Sequence, residues 1–354
     1  MSNIAVVILN WNGEAFLNRF LPILISNTQL ADTEIVVADN ASTDNSLKLL
    51  ETDFPTIKTI VLDQNYGFAG GYNRALEQIE AKYFVLLNSD VEVTENWLLP
   101  LFNYLEQNKE VAACQPKIKS IQNREFFEHA GAAGGFIDFL GFPFCRGRVL
   151  SKVEEDKGQY DNIADVFWAS GACFMVRADL FKKLGGFDDV FFAHMEEIDL
   201  CWRFNSRGYR VVCVPESTVY HVGGGTLKSE HPYKTYLNFR NNLLMLYKNL
   251  PQKELNSVLK WRKIIDYIAF SQMMLTGKSR NAMSVIRARK DFKKLMPEFE
   301  TKRNENILYA TRTQCAEMLN KSIIVEYYFK WNRTFNHLYD NSKSIGFGDT
   351  AKLK

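Results

Sequence analysis

The sequence lacks the patterns that identify several large classes of protein. Its six cysteines form no CxxC pair, which argues against a zinc or thioredoxin-type site. No GxGxxG follows the first apolar run, and the glycine triplet at 223–225 lacks the trailing Lys-Ser/Thr of a P-loop. A Rossmann dehydrogenase and a nucleotide hydrolase are therefore disfavoured. No run of 18 apolar residues is present, so we expect no bilayer-spanning segment.

The N-terminus has no basic segment ahead of its six-residue apolar run. We interpret this run as a first strand rather than a signal peptide, and we expect a cytoplasmic protein. Hydrophobic residues make up 46% of the 354 residues and aromatic residues 13%, which is enough for a substantial core. The length favours either one large domain with an appendage or two domains.

Charge is unevenly distributed along the chain. The formal net charge is +2, but residues 226–354 carry 24 Lys/Arg against 11 Asp/Glu, a net +13 that leaves −11 for the rest. A basic region of this kind can meet an anionic membrane surface or another polyanion. We predict a catalytic domain over residues 1–228 and a helical, basic region over residues 229–354.

The first half of the chain alternates short apolar runs with helical spacing. The runs at 4–9, 34–39, 57–62 and 83–88 resemble strands buried on both faces of a parallel sheet. The segments between them that predict helices are 14–26, 44–51 and 68–80. This alternation predicts an open α/β sheet, which binds ligands beyond the carboxyl ends of its strands.

Polar side chains follow three of these predicted strands. They are Asn10-Trp11-Asn12-Gly13, Asp39-Asn40 and Asn88-Ser89-Asp90. Any one of these segments alone is better explained as a turn. Three of them at one edge of a sheet favour a ligand site.

The second half of the chain is less regular at first. Residues 119–165 predict a long loop or small hairpin that could cover a site. The elements predicted after it are a strand at 165–176, a helix at 177–184, a helix at 196–206 and a strand at 210–214 closed by Pro215.

Two helical segments stand out beyond residue 230. Residues 233–250 predict an amphipathic helix that carries Phe239-Arg240-Asn241-Asn242. Residues 264–275 form an apolar stretch flanked by Trp261 and several cations, too short to span a bilayer. A helix lying in a membrane interface and an ordinary buried helix explain this stretch equally well.

Four acidic or imidazole side chains are candidates for chemistry. Asp90 follows an apolar strand, where a carboxylate can bind a hard divalent cation, although a turn residue is the commoner explanation. Glu196 and Glu197 begin a predicted helix, where acids complement the helix dipole. Two adjacent carboxyl groups also repel, which suits a general base. His221 is either a structural residue or a ligand of the same cation.

Six segments in order resemble the motifs of inverting family 2 glycosyltransferases of the GT-A fold, especially the bacterial rhamnosyltransferase-like branch. They are VVILNWNGEAFL, EIVVADNASTDNS, NYGFAGGYNRAL, YFVLLNSDVEV, WASGACFMVRADLFKKLGGFDDVFFAHMEEIDLCWR and VYHVGGGT, and they span roughly residues 3–250. The resemblance implies a Rossmann-like, mostly parallel central sheet flanked by helices, with a helical C-terminal extension.

The resemblance also implies roles for individual residues. The residues expected to bind the nucleotide are Leu9, Asn10, Trp11, Asn12, Asp39, Asn65, Gly67, Asn73 and Ser89, with Asp39 on the pyrimidine base. Asp90 is the acid remaining at the family's DxD position, and with His221 it would hold Mg²⁺ or Mn²⁺. Trp168, Ser170 and Gly171 would face the acceptor. Glu197 occupies the position of the usual base, and Glu196 is the alternative.

The implied reaction moves a sugar from a dTDP- or UDP-sugar to a hydroxyl of a glycan or lipid-linked acceptor during surface polysaccharide synthesis, with rhamnose the first choice. The C-terminal region would then lie on the inner face of the cytoplasmic membrane. A non-catalytic nucleotide-binding scaffold in a glycan-assembly complex is the alternative. Nucleic acid is not expected as a partner. A nucleotidyltransferase would need a Gly-rich, basic loop after the first strand, which Trp11-Asn12-Gly13-Glu14 is not.

Overall fold

A computed structural model describes residues 2–223, 231–312 and 315–340. Its strands are β1 (Ser2–Asn10), β2 (Thr33–Asp39), β3 (Lys58–Val61), β4 (Ala81–Asn88), β5 (Val91–Val93), β6 (Val111–Ser120), β7 (Gly135–Asp138), β8 (Pro143–Cys145), β9 (Arg148–Val149), β10 (Lys152–Val153), β11 (Ala164–Asp165), β12 (Cys173–Arg177), β13 (Arg210–His221) and β14 (Met318–Leu319). Its helices are α1 (Glu14–Asn27), α2 (Ser46–Asp53), α3 (Gly67–Glu77), α4 (Leu98–Gln107), α5 (Ala178–Lys183), α6 (Glu196–Ser206), α7 (Pro232–Asn249), α8 (Gln252–Leu275), α9 (Ser279–Leu308), α10 (Ile323–Phe329) and α11 (Phe335–Asp340), with a 3₁₀ turn at Asp189–Phe191.

A nine-stranded sheet forms the centre of the described structure. Its order is β11-β13-β6-β12-β4-β1-β2-β3, and β5 pairs with β13. Strands β1, β2, β3 and β4 are parallel, and the antiparallel β12 joins β4 to the parallel pair β6 and β13. Six strands therefore run in one direction, which confirms the mostly parallel sheet. Their carboxyl ends meet at one edge, where ligands of such sheets bind.

Strand β1 shows how the sheet is buried on both faces. Ala5 and Val7 lie in one hydrophobic core, while Ile4, Val6 and Ile8 lie in the other. Because successive strand residues point to opposite faces, a continuous aliphatic run is what a sheet covered on both sides requires. The prediction from these runs is confirmed for β1, β2, β3 and β4, each with ends within two residues of those expected.

Two of the predicted elements were wrong in detail. The single strand predicted at 165–176 is two strands, β11 and β12, separated by an irregular segment that includes Trp168. Pro215 does not end a strand, because β13 continues to His221 through an irregularity in its pairing with β6 between Val214 and Thr218. An irregularity of this kind accommodates proline, which cannot donate to the ladder.

The segment predicted as a long loop or small hairpin over 119–165 contains β7, β8, β9 and β10, which pair antiparallel and form most of a second sheet. Its order is β10-β9-β8-β7-β14, so the last strand comes from the C-terminal region. Phe136 and Phe144 of this sheet pack against Phe335, with ring centroids 4.9 and 6.2 Å away. The boundary at residue 228 stays a prediction, and the residues after it share a core with those before it.

The apolar stretch at 264–275 forms the C-terminal half of α8, which is a 24-residue helix. Arg262 and Asp266 are buried on one side, while Trp261, Ile268 and Leu275 are exposed by 54%, 62% and 89%. Among the described residues, no helix combines the length and the hydropathy needed to cross a membrane.

Candidate active site

Three hydrogen bonds join the carboxyl end of β1 to that of β2 and the loop after it. The Asn10 side chain donates to Asp39 over 3.0 Å and to the Ser42 hydroxyl over 3.2 Å. The other Asp39 oxygen accepts from the Ser42 backbone N–H over 2.8 Å. Both Asn10 and Asp39 are fully buried. The predicted base-recognition residue is therefore held rigidly by neighbours on two strands.

The loop after β1 is fixed to the loop after β2. The Asn12 side-chain oxygen accepts from the Thr43 backbone over 2.7 Å, and the Asn12 N–H donates to Ser42 over 2.9 Å. Trp11 is 42% exposed and Leu9 packs beside Gly71, where an added Cβ would lie 2.9 Å from Leu9 carbon. This arrangement leaves the Trp11 ring available at the sheet edge.

Asn65 and Gly67 continue the same edge from the start of α3. The Asn65 oxygen accepts from the Asn40 side chain over 3.1 Å and from the Gly67 N–H over 2.8 Å. Gly67 has a φ of +70°, and a Cβ there would lie 2.4 Å from the Phe192 carbonyl oxygen. Only glycine fits this close approach without displacing the backbone.

The side chain of Asn73 forms hydrogen bonds with other residues of the protein. Its amide donates to the Phe187 carbonyl over 2.9 Å and to Asp189, and its oxygen accepts from the Phe187 N–H over 3.0 Å. These contacts connect α3 to the segment before α6. The predicted contact of Asn73 with ribose or diphosphate stays a prediction.

The end of β13 lies beside the loop after β4. His221 pairs with Val91 in the β13–β5 ladder, which places its Nε2 3.1 Å from Asp90 Oδ1. Its Nδ1 lies 3.6 Å from a carboxylate oxygen of Glu128. The structure thus brings together the two residues predicted to hold a cation. Gly223 is described, whereas the other two glycines of the 223–225 triplet lie outside the described residues.

Glu128 is a member of this cluster that the sequence did not indicate. All three side chains, Asp90, Glu128 and His221, are buried. Burial lowers the pKa of His221, but hydrogen bonding to Asp90 and Glu128 outweighs it and raises this pKa to about 10. Glu128 belongs to the segment predicted as a loop, so only the folded chain could assign it to the cluster. No set of three or more His, Cys, Asp or Glu side chains within residues 2–223, 231–312 and 315–340 has the arrangement of a metal centre.

Glu196 and Glu197 occupy the first turn of α6, as predicted. One oxygen of each carboxyl is buried and has no hydrogen-bond partner in the part of the chain that the structure describes. Burial and the neighbouring Glu197 raise the pKa of Glu196 well above its ordinary value. Burial also raises the pKa of Glu197 to about 7. A carboxyl with this proton affinity can exchange a proton at neutral pH.

The residues predicted to face the acceptor differ in position. A Cβ on Gly171 would lie 3.9 Å from the Glu197 carboxyl carbon, so this turn adjoins the Glu pair. Ser170 is buried, and its hydroxyl donates to the Ala130 carbonyl over 2.6 Å. Trp168 is buried against Gly135 and donates its indole N–H to the Phe136 carbonyl over 2.9 Å. Ser170 and Trp168 thus have internal partners for these polar groups.

A mostly parallel sheet, with an acid–imidazole pair and two adjacent carboxyl groups at the positions that the motifs predicted, is consistent with the expected GT-A glycosyltransferase. The family described as "Glycosyl transferase family 2" matches residues 5–185, just over half of the chain. The chain belongs to glycosyl transferase family 2, as the motifs predicted.

Two curated relatives are similar to parts of this chain. The "O-antigen biosynthesis protein RfbC" of Myxococcus xanthus is 28% identical over 201 residues, 56% of this chain but 16% of the relative. The "N-acetylglucosaminyl-diphospho-decaprenol L-rhamnosyltransferase" of Mycobacterium tuberculosis is 25% identical over 231 residues, 61% of this chain and 75% of the relative. The chain thus spans a small part of the first relative and most of the second.

A solved structure supports the fold. The crystal structure of GalNAc-T7 with UDP, GalNAc and Mn²⁺ superimposes with a TM-score of 0.57 at 18% identity, covering 87% of this chain and 58% of that chain. The shared architecture confirms the expected GT-A fold.

Proposed function

We propose that the protein is an inverting glycosyltransferase that uses Glu197 as its general base. The observation that carries this proposal is the Glu196–Glu197 pair, desolvated at the start of α6 and with an unpartnered oxygen on each carboxyl. A buried acceptor oxygen without a partner is costly in a folded protein, so a substrate hydroxyl is the natural donor for it. The Gly171 turn lies beside it, where a Cβ would be 3.9 Å from the Glu197 carboxyl carbon and 3.1 Å from the Phe68 ring.

The reaction follows from this geometry. Glu197 removes the proton from an acceptor hydroxyl, and the oxygen forms a bond to the anomeric carbon as the bond to the nucleoside diphosphate breaks. Attack occurs on the face opposite the leaving group, so the configuration inverts. Burial and the neighbouring Glu197 raise the pKa of Glu196, and burial raises that of Glu197 to about 7, so the two carboxyl groups titrate as a pair and repulsion between them is limited.

A dTDP- or UDP-activated sugar is the proposed donor, with rhamnose first. Two of the similar proteins support this choice. The relative from Mycobacterium tuberculosis is a rhamnosyltransferase named for a polyprenyl diphosphate-linked sugar, and the GalNAc-T7 structure contains UDP. We propose a glycan or lipid-linked hydroxyl in polysaccharide synthesis as the acceptor. The Asn10–Asp39–Ser42 network supplies a preorganised edge for the nucleoside.

Asp90 and His221 are the residues proposed to hold a divalent cation. Their carboxylate and imidazole fit as two ligands of Mn²⁺ or Mg²⁺, and His221 Nδ1 is buried without a hydrogen-bond partner among the described residues. A cation bound there would neutralise negative charge on the leaving diphosphate. Glu128 lies on the other side of His221, where its carboxylate oxygen is 3.6 Å from Nδ1 and adds a second negative charge beside the imidazole.

Glu197→Gln tests the proposed base, with Glu77→Gln as the matched control. Glu77 is exposed on α3, so its replacement should leave transfer unchanged. Loss of a general base should lower kcat by about 10²–10⁴-fold, while UDP or dTDP binding, measured by calorimetry with Mn²⁺, stays within a few-fold. Transfer by Glu197→Gln within several-fold of wild type would remove Glu197 from the role. Nucleotide binding with neither transfer nor donor hydrolysis by the wild type would favour the scaffold.

We propose further that α8 places the enzyme on an anionic membrane surface. Ile264, Ile268 and Leu275 line a shallow groove of 960 Å³, together with Lys260 and Lys263. Exposed apolar side chains next to cations are typical of a helix in a lipid interface. The net +13 of residues 226–354 adds a sequence-independent attraction to anionic headgroups.

Sedimentation with vesicles containing phosphatidylserine tests this surface in the full chain. Ile268→Glu with Leu275→Glu should reduce the bound fraction several-fold, and added salt should weaken binding by the wild type. Val61→Glu is the control, because Val61 is an exposed apolar residue of β3 on the acidic half of the chain. Equal, salt-insensitive binding by all three proteins contradicts the membrane proposal.

A further inference from the structure

The segment immediately before α6 has a strained backbone. Phe192, His194 and Met195 have φ values of 63°, 72° and 76°, in the left-handed region that non-glycine residues rarely adopt. Each such residue costs of order 1–3 kcal/mol and persists only where the surroundings enforce it. This segment, residues 191–195, is called the α6 turn below.

The start of α6 does not fix its own position through a side-chain cap. Its N-cap residue, Met195, has the left-handed conformation and makes no side-chain capping hydrogen bond. The first two helical residues are Glu196 and Glu197. The placement of both carboxyl groups therefore depends on what holds the α6 turn.

Asn241 of α7 holds this turn from one side. Its buried side-chain amide lies 2.8 Å from the Phe191 carbonyl oxygen, 2.9 Å from that of Ala193 and 2.8 Å from that of His194. Its oxygen accepts from Arg240 Nε over 2.9 Å. The two N–H donors of one side chain are thus shared among three carbonyl groups of a strained turn.

The first turn of α3 holds the α6 turn from the other side. The backbone N–H groups of Phe68 and Ala69 donate to the Phe192 carbonyl over 2.6 and 3.1 Å. Gly67 permits this approach, because a Cβ there would meet the Phe192 oxygen at 2.4 Å. The turn is clamped between a helix of the central sheet and a helix of the C-terminal region.

We propose that Asn241 is a positioning residue, whose amide fixes the α6 turn and thereby sets the place of the Glu197 carboxyl in the reaction. The catalytic part rests on the proposed role of Glu197. Arg240 assists with hydrogen bonds from Nη2 to the Val190 and Phe191 carbonyls over 2.7 and 3.2 Å. This assigns a role to the Arg240-Asn241 pair, to which the sequence gave none.

Asn241→Asp tests the proposal, because it keeps the shape of the side chain and removes the amide N–H donors. Displacement of a reacting group by about 1 Å can cost about 10²-fold in rate, so we expect kcat to fall by about that factor. The Kd and stoichiometry of UDP or dTDP binding with Mn²⁺ should stay within about threefold. Hydrogen exchange should rise in residues 192–197. The matched control is Asn238→Asp, since Asn238 donates only to Lys234 of its own helix, over 2.8 Å.

Two results would overturn the proposal. One is kcat within about threefold of wild type with unchanged exchange in residues 192–197. The other is a loss of kcat that is matched by an equal loss of nucleotide-binding sites, which shows general unfolding. If Asn241→Asp does not fold, Asn241→Ala, which adds no charge, is measured in the same way. Failure of the proposed base would be recognised separately, as an active Glu197→Gln enzyme, while the exchange measurement reports on the clamp alone.

Discussion

Two regions around the sheet edge differ in how fully the oxygens of their carboxyl groups are hydrogen-bonded. At the ends of β1 and β2, both oxygens of Asp39 accept hydrogen bonds and Asn10 donates two. At the start of α6, Glu196 and Glu197 each keep a buried oxygen without a partner among the described residues. Buried polar groups are normally paired, so unpaired ones call for an explanation.

The difference separates a binding surface from a chemical centre. Asp39 has both carboxylate oxygens hydrogen-bonded and is held in one orientation, which suits recognition of a nucleoside, whereas the Asn10 oxygen beside it has no partner among the described residues. A desolvated carboxyl pair costs stability and has perturbed proton affinity, which suits proton transfer. Three predictions sharpen this contrast, and the first has the largest expected effect.

The pH dependence of transfer should report the carboxyl pair. Because Glu197 acts only when ionised and its pKa is about 7, kcat/KM should fall tenfold for each pH unit below 7 and level off above it. Three titratable groups interact electrostatically with Glu197. They are Glu196 and Cys201 of α6 and Cys145 of β8. Burial is the main cause of the raised pKa of Glu197, so Glu196→Gln should retain a midpoint well above the ordinary value of a glutamate. A wild-type midpoint below pH 5 contradicts this.

Asp39→Ala should weaken nucleotide binding rather than the chemical step. The change leaves the Ser42 N–H without its partner and the Asn10 amide with only the Ser42 hydroxyl, which costs about 1–3 kcal/mol. We expect the Kd for UDP or dTDP to rise by about 10- to 100-fold, measured by calorimetry, with kcat at saturating donor within several-fold. Asp53→Ala, at the exposed end of α2, is the control. A lowered kcat with unchanged Kd would place Asp39 in the chemical step instead.

Glu196→Gln should stabilise the fold, and more at higher pH. The folded chain binds a proton at Glu196 more tightly than the unfolded chain, whose pKa is ordinary. Stability therefore falls as pH rises above about 4.5, up to the raised pKa, and the glutamine removes that loss. Melting curves should show a Tm gain at pH 8 of a few degrees, at about 2–4 °C per kcal/mol, and a smaller gain at pH 5. Equal or lower Tm at pH 8 would contradict the unfavourable burial of this acid.

The sequence predicted the elements that carry the site more accurately than the contacts between them. Helix α6 has the predicted bounds of 196–206, and β2 ends at Asp39 as expected. Glu128 was missed, because its partner His221 lies on a strand far along the chain and the segment around it has no periodic pattern. Asn241 was noticed only as part of a polar motif, since its three carbonyl partners belong to a turn before another helix.

By itself the sequence determined the family, the first four strands and the identity of the acidic residues at the strand ends and at the start of α6. Those features depend on local periodicity and on short segments, which a linear pattern contains. The tertiary structure alone decided that His221 meets both Asp90 and Glu128, and that the α6 turn is held from α3 and α7. Such contacts depend on strand register and helix packing across long stretches of chain, so no local pattern encodes which residues meet.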